Sequence, residues 1–200
     1  SVKAFDEGGQ SVTEQLGEMV ITQPMPSMPI YFWNDAGNDK YYASYFEVFP
    51  DIWRHGDWIE ITARGSVIIY GRSDATLNRG GVRIGTSEIY SAVGRVSSVK
   101  DSLAVYLEKK DGGGVISLFV VLTDGLLLTE EIKKEINQTI RTHFTARHVP
   151  DTIEQVADIP YTISGKKMET PIKRILMGED PSKCINQDTM RNPESLKAFL

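Results

Sequence analysis

Gly71-Arg-Ser-Asp-Ala-Thr-Leu-Asn-Arg-Gly-Gly-Val-Arg-Ile-Gly-Thr-Ser-Glu-Ile-Tyr90 divides the sequence. Three arginines, four glycines and one aspartate stand here between a strand-like run, Val67–Gly71, and a helix-like run, Glu88–Val96. Arginine forks suit phosphate and ribose oxygens, and glycines let the backbone bend and approach a ligand. The plain alternative is a charged linker with ordinary turn glycines. Composition changes at the same place. Of the 200 residues, 1–72 hold 5 Lys/Arg and 10 Asp/Glu, a net of −5, whereas 73–200 hold 17 of each, a net of zero. All 3 Trp, 5 of 8 Tyr and 4 of 7 Phe lie before residue 73. This step predicts two structural units, 1–73 and 74–200.

Working outward, the first unit reads as small and β-rich. Gly17–Thr22 alternates in strand fashion, and Pro24, Pro26 and Pro29 forbid regular structure after it. Lys40–Phe49 is aromatic and suits a short helix ahead of Pro50. Trp58–Thr62 and Val67–Gly71 read as strands around a Gly65–Ser66 turn.

The second unit alternates element types. Ile89, Val93 and Val96 share one face of a helix. Ser102–Glu108 and Val115–Thr123 are apolar, β-branched runs joined through Asp111-Gly-Gly-Gly114, which reads as a hairpin turn. Thr129 suits an N-cap, Glu130 and Glu131 suit the positive helix start, and Ile132, Ile136, Ile140 and Phe144 recur every four residues. Thr152–Ala157 reads as a further strand and Thr170–Met177 as a last helix. The order predicts an α+β fold: a small β-rich unit, then a compact unit with helices packed on a small sheet.

The averages exclude several classes. A net charge of −5 argues against a general nucleic-acid binder, whose affinity rests on neutralising phosphates. The single cysteine, Cys184, rules out an intrachain disulfide framework and a cysteine-rich metal site. No apolar run reaches the roughly 18 to 20 residues of a membrane helix, so no membrane insertion is expected. Ser1–Gln10 have neither the basic start nor the apolar core of a secretion signal, and the lack of an initial methionine fits a processed or excised piece.

Two further segments can carry chemistry. In Ile159-Pro-Tyr-Thr-Ile-Ser-Gly-Lys-Lys-Met168, a Ser-Gly-Lys turn after a strand can aim a lysine at an anion. The spacing is not that of a Walker A loop, and the plain alternative is a solvated basic loop. In Trp53-Arg-His-Gly-Asp-Trp58, Gly56 places the Asp57 carboxylate at a turn leading into a strand, where it can accept hydrogen bonds from a sugar diol. An ordinary turn aspartate is the alternative.

Taken together and in order, these segments resemble the motifs of the adenylate-forming ligases. His55-Gly-Asp57 is similar to the Y-x-T-G-D ribose motif. Gly71-Arg-Ser-Asp74 through Gly81-Val-Arg83 and Glu88-Ile is similar to the hinge motif, and Pro160 through Ser164-Gly-Lys166 to P-x-T-x-S-G-K. Phe32-Trp-Asn-Asp35, Tyr45-Phe, Ala146-Arg-His-Val-Pro150 and Asn192-Pro-Glu-Ser-Leu196 extend the resemblance, over nearly the whole chain, to the C-terminal third of acetoacetyl-CoA synthetases.

The resemblance implies a cytosolic enzyme that uses ATP, with Mg²⁺, to convert acetoacetate to its adenylate and then transfers the acyl group to CoA. It implies that 1–73 ends a large N-terminal adenylation domain, that 74–200 is the mobile C-terminal domain, and that this piece alone has no ligase activity. By the same resemblance, Asp57 and Arg72 bind the nucleotide ribose and Lys166 is the adenylation lysine. Asp74 is the hinge, Gly81 lies beside the CoA channel and Arg83 faces phosphate or that channel. Arg141 contacts CoA phosphate, although an exposed helix arginine is the plain alternative. Ala75 stands where the family often has a second acid, and Lys167 adjoins Lys166. His143 and His148 read as surface or capping residues, Cys184 as non-catalytic, and Trp33, Trp53 and Trp58 as packing; no metal-ligand set is expected. Acyl specificity for acetate or another acid, and a non-catalytic interaction module, stand as the other readings.

Overall fold

The computed structural model describes residues 1–73, 77–79, 82–109 and 113–200. It divides into two compact units, Ser1–Asp74 and Ala75–Leu200.

The first unit contains strands β1 (Val2–Phe5), β2 (Ser11–Val12) and β3 (Leu16–Ile21), helix α1 (Asp39–Tyr45), and strands β4 (Trp53–Ile61) and β5 (Val67–Arg72). The strands form one antiparallel sheet in the order β2-β1-β3-β4-β5. Ala4, Phe5, Val20, Ile21, Trp53 and Ile59 are buried. Tyr45 and Trp53 meet with ring centroids 4.8 Å apart, which fastens α1 to β4 through aromatic area. The three tryptophans are not one cluster, because Trp33 is 84% exposed while Trp53 is buried. Strand β4 starts at Trp53, ahead of the expected Trp58, because Gly56 (φ +87°) does not end the strand. Without a Cβ it turns through a left-handed conformation while pairing continues on both sides. Gly56–Asp57 is therefore an irregularity within a strand and not a turn before one.

The second unit contains β6 (Leu77–Arg79), β7 (Val82–Ile84), α2 (Thr86–Val93), β8 (Val99–Glu108), β9 (Gly114–Leu122), α3 (Glu130–His143), β10 (Thr152–Gln155), α4 (Glu169–Leu176) and α5 (Pro181–Cys184). A three-stranded sheet runs β10-β9-β8, with β8 and β9 antiparallel and β9 and β10 parallel; β6 and β7 form a separate ribbon. Residues 110–112, at the expected hairpin turn, lie outside the described residues.

The sheet is covered on both faces, which explains why β8 and β9 read as continuous apolar runs and not as alternating ones. Ala104, Ile116, Leu118 and Val120 pack with Ile89 and Val93 of α2 and with Ile136 and Ile140 of α3. Leu103, Val105 and Phe119 point the other way, toward Ile172 and Ile175 of α4 and toward Met190, Leu196 and Phe199. The Thr129 hydroxyl accepts from Ile132 N–H at 3.4 Å and caps α3. The Glu88 carboxylate turns back to accept from Gly85 N–H at 3.0 Å at the start of α2.

Ile136 has no exposed surface. Ile136→Ala is expected to lower the stability of the second unit by about 2–5 kcal/mol. Ile163→Ala, at a position 68% exposed, should stay within about 0.5 kcal/mol of the parent. Denaturant unfolding of the two variants checks both values.

Candidate functional site

In the first unit, the β4–β5 pairing sets Asp57 directly opposite Arg72. The Asp57 carboxylate meets His55 Nδ1 through Oδ2, and Arg72 Nη1 stands 3.9 Å from the same oxygen. Arg72 Nη1 also donates to the His55 carbonyl at 3.2 Å. The guanidinium lies across Gly56, where an added Cβ would come within 2.8 Å of Nη2. A half-exposed guanidinium thus stands beside a mostly buried carboxylate, with side-chain exposures of 50% and 17%. The pair offers one charged donor and one charged acceptor side by side, the complement of a vicinal diol or a phosphate ester. His55 belongs to this group through its contact with Asp57, and the sequence signal for it is its place two residues away on the same strand.

In the second unit, Thr162-Ile-Ser-Gly-Lys166 forms a closed turn. Lys166 N–H donates to Thr162 Oγ1 at 3.0 Å, and Thr162 N–H to the Lys166 carbonyl at 2.9 Å. Gly165 takes φ +81° with open space around it, and Tyr161 and Lys167 pair across the base as an isolated antiparallel bridge. The two adjacent lysines differ completely. Lys167 Nζ donates to Asp101 Oδ1 at 2.7 Å and to the Ser102 carbonyl, and sits 4.1 Å over the Tyr90 ring. Lys166 is exposed, and its ammonium has no partner among the described residues.

The groups around Lys167 have displaced pKa values. Burial raises the Asp101 carboxyl, but the hydrogen bonds from Lys167 and Tyr161 and the Lys167 charge together hold it below the usual carboxylate range. Burial first, then the neighbouring Glu169 carboxylate, push the Tyr90 phenol up, so it stays a donor to Glu169 Oε1 at 2.5 Å.

Asp74 and Gly81 lie outside the described residues. Arg83 falls in β7, opposite Asn78 of β6. Arg79 of the same ribbon is taken up by structure: it donates to the Val149 carbonyl at 2.6 Å and pairs with Asp151 at 2.6 Å. Arg141 is exposed in the last turn of α3. His148 is buried; it meets Thr145 Oγ1 at 2.9 Å and Glu88 Oε2 at 3.3 Å, linking the Ala146–His148 turn to α2. Cys184 is half-buried, its sulfur 4.0 Å from a Glu179 carboxylate oxygen. Tyr31, Phe32, Trp33 and Asp35 line an open recess of about 410 Å³ in the first unit, and neither Asp57 nor Arg72 is among its lining residues. No group of three or more His, Cys, Asp or Glu side chains suited to a metal occurs among the described residues, and none of their helices is long and apolar enough to cross a membrane.

Residues 88–166 match the AMP-binding enzyme C-terminal domain family, a span that ends on Lys166. Over that span the chain is similar to the C-terminal domain of the AMP-binding enzymes. Along its whole length it is also similar to acetoacetyl-CoA synthetases. It is 41% identical over 200 residues to that of Xenopus tropicalis and 44% over 199 residues to that of Rhizobium meliloti. These matches take in 100% of the chain but 29% and 30% of the relatives. The chain therefore spans under a third of the length of these curated relatives. The solved acetoacetyl-CoA synthetase from Streptomyces lividans superposes with a TM-score of 0.91 at 42% identity, covering 100% of this chain and 30% of that one.

Two outcomes follow from the geometry. Asp101 has its carboxyl below the ordinary value of 3.8. Its contribution to stability is complete above that value and is lost as pH falls through the lowered one. Acid titration of unfolding stability should show this loss in the parent and not in Asp101→Asn. Gly56→Ala forces an L side chain to positive φ beneath a guanidinium. It should destabilise the first unit by about 1–2 kcal/mol, measured by denaturant unfolding.

Proposed function

We propose that this chain is the C-terminal part of an ATP-dependent acetoacetate–CoA ligase. The observation that carries the reading is the similarity to acetoacetyl-CoA synthetases across 100% of the chain. The Lys166 turn supports it, because it holds out one unpaired ammonium group beside a second that is fully engaged.

The reaction has two steps. An oxygen of the acetoacetate carboxylate attacks the α-phosphorus of ATP, a P–O bond forms, and pyrophosphate leaves. The sulfur of CoA, giving up its proton, then attacks the acyl carbon, a C–S bond forms, and AMP leaves. In the first step two anions must approach each other. A cation placed at the forming bond lowers that barrier more in the transition state than in the ground state. Lys166 supplies it. Asp57 accepts from the ribose hydroxyls, while Arg72 restrains the same sugar. Arg83 meets phosphate or the CoA path, and Arg141 meets a CoA phosphate. Asp74 is the hinge at which 74–200 moves between the two steps, and Gly81 leaves room for the pantetheine arm. Residues 1–73 close the larger adenylation domain. Mg²⁺ accompanies ATP; the described residues offer it no ligand cluster, and no step here runs through it. The cytosol is the compartment this reading favours.

The test uses the full-length protein that carries this chain. It should form AMP only with acetoacetate, ATP and CoA together, and turnover with acetate but not acetoacetate would overturn the acyl assignment. Lys166→Ala should lower adenylate formation, read by pyrophosphate exchange, by about a hundredfold or more, while thioester formation from supplied adenylate survives. Equal loss of both steps would remove the lysine from its role. Asp57→Ala should raise the KM for ATP about ten- to hundredfold. The 200-residue chain alone should show no turnover.

A further inference from the structure

The side chains that hold the Lys166 turn converge on a single group. Asp101 Oδ1 accepts from Lys167 Nζ at 2.7 Å and from Ser102 N–H at 2.8 Å. Asp101 Oδ2 accepts from the Tyr161 hydroxyl at 2.6 Å. Tyr161 and Lys167 are the two residues paired across the base of the turn. One carboxylate therefore grips both feet of the loop, one through each oxygen. From there the chain can leave and return only through 162–166.

The strand that carries this carboxylate is shaped to deliver it. Along the β8–β9 ladder, Val99 pairs with Leu122 and Asp101 with Val121, so two steps on β8 match one on β9. A bulge at Lys100 breaks the alternation and turns the following residue. Asp101 is the first residue after it, at the point where β8 passes into the buried run Ser102–Tyr106. The partners are correspondingly shielded, with side-chain exposures of 22% for Lys167 and 25% for Asp101. The Lys167 ammonium is further engaged by the Ser102 carbonyl and the Tyr90 ring, so all its donor directions are spent.

We propose that Asp101 is the positioning residue of the Lys166 turn: by holding Tyr161 and Lys167 together it fixes the loop and determines which of two adjacent ammonium groups is free. This rests on the reading of Lys166 given above only for its catalytic consequence. The selection between the lysines stands on the second unit alone. Without the carboxylate, Lys167 loses its ionic partner and Tyr161 its acceptor. The two feet are then joined by the backbone bridge only, and both ammonium groups compete for the same anion.

The test has two independent readouts on the full-length protein. The first is competitive acylation with N-acetoxysuccinimide at limiting reagent, with the sites resolved by mass spectrometry. In the parent, Lys166 should react about tenfold or more faster than Lys167, because the thoroughly bonded ammonium is the slower nucleophile. In Asp101→Asn the ratio should fall toward one. Equal labelling in the parent, or an unchanged ratio in Asp101→Asn, overturns the proposal whatever Lys166 does in catalysis.

The second readout is the adenylation rate in a single turnover. Asp101→Asn should lower it about ten- to hundredfold, as expected for a misplaced catalytic group, with the KM for ATP and thioester formation from supplied adenylate little changed. Equal losses in both steps would mark Asp101 as merely structural and also overturn the proposal. Tyr161→Phe removes one grip and keeps the ring. It serves as the milder variant should Asp101→Asn unfold, and its labelling ratio should fall between the other two. Lys166→Ala in the same assay separates the two ideas: no effect there removes the lysine's catalytic role, while the labelling ratio still decides the role of Asp101.

Discussion

The second unit depends on a sheet that is dry on both faces. Ile116, Leu118 and Val120 are sealed by α2 and α3, while Leu103, Val105 and Phe119 are sealed by α4 and the C-terminal segment. A strand in that position has no face on which to carry a charge, because an unpaired charge between packed layers costs several kcal/mol. Charge is therefore pushed to the ends of the strands. Asp101 lies where β8 begins its buried run, and Asp151 lies just before β10, its Oδ2 accepting from Ile116 N–H at 2.8 Å. The charged groups of β8, Lys100, Asp101 and Glu108, lie at its two ends, while the buried runs hold the hydroxyls of Ser102 and Ser117.

Much of this was legible from periodicity. The four-residue spacing of Ile132, Ile136 and Ile140 marks α3, and Thr129 caps it as its type and place suggest. The unbroken apolar runs of β8 and β9 indicate strands buried on two sides. The short elements were less legible. Val2–Phe5 is a strand because β2 and β3 lie on either side of it, and the β6–β7 ribbon has three residues per strand, too few for any period to register. Gly56 misleads by type, since glycine before aspartate normally marks a turn, whereas here the long-range pairing of β4 with β3 and β5 overrides that local preference.

The candidate site divides the same way. Asp57, Arg72 and Lys166 sit in segments whose residue types mark them as candidates in the sequence. Nothing in the sequence around Asp101 does so. It lies 66 positions from Lys167, just before an ordinary apolar run, and its two partners are assembled only when α4 and the C-terminal segment pack on the sheet. The Ser-Gly-Lys register points to Lys166 over Lys167, whereas the physical difference between the two lies in what folds against them.

The connection from β9 through α3 to β10 has a kinetic consequence. β8 and β9 are near neighbours in sequence and pair locally, whereas β10 joins β9 in parallel only after the whole of α3 has crossed the sheet. Contacts that close long loops form late. The Lys166 turn follows β10 and is fastened to β8, so its assembly waits for both the local hairpin and the late crossover. A chain emerging from synthesis would hold Lys166 in no fixed direction until the last third of the unit had docked.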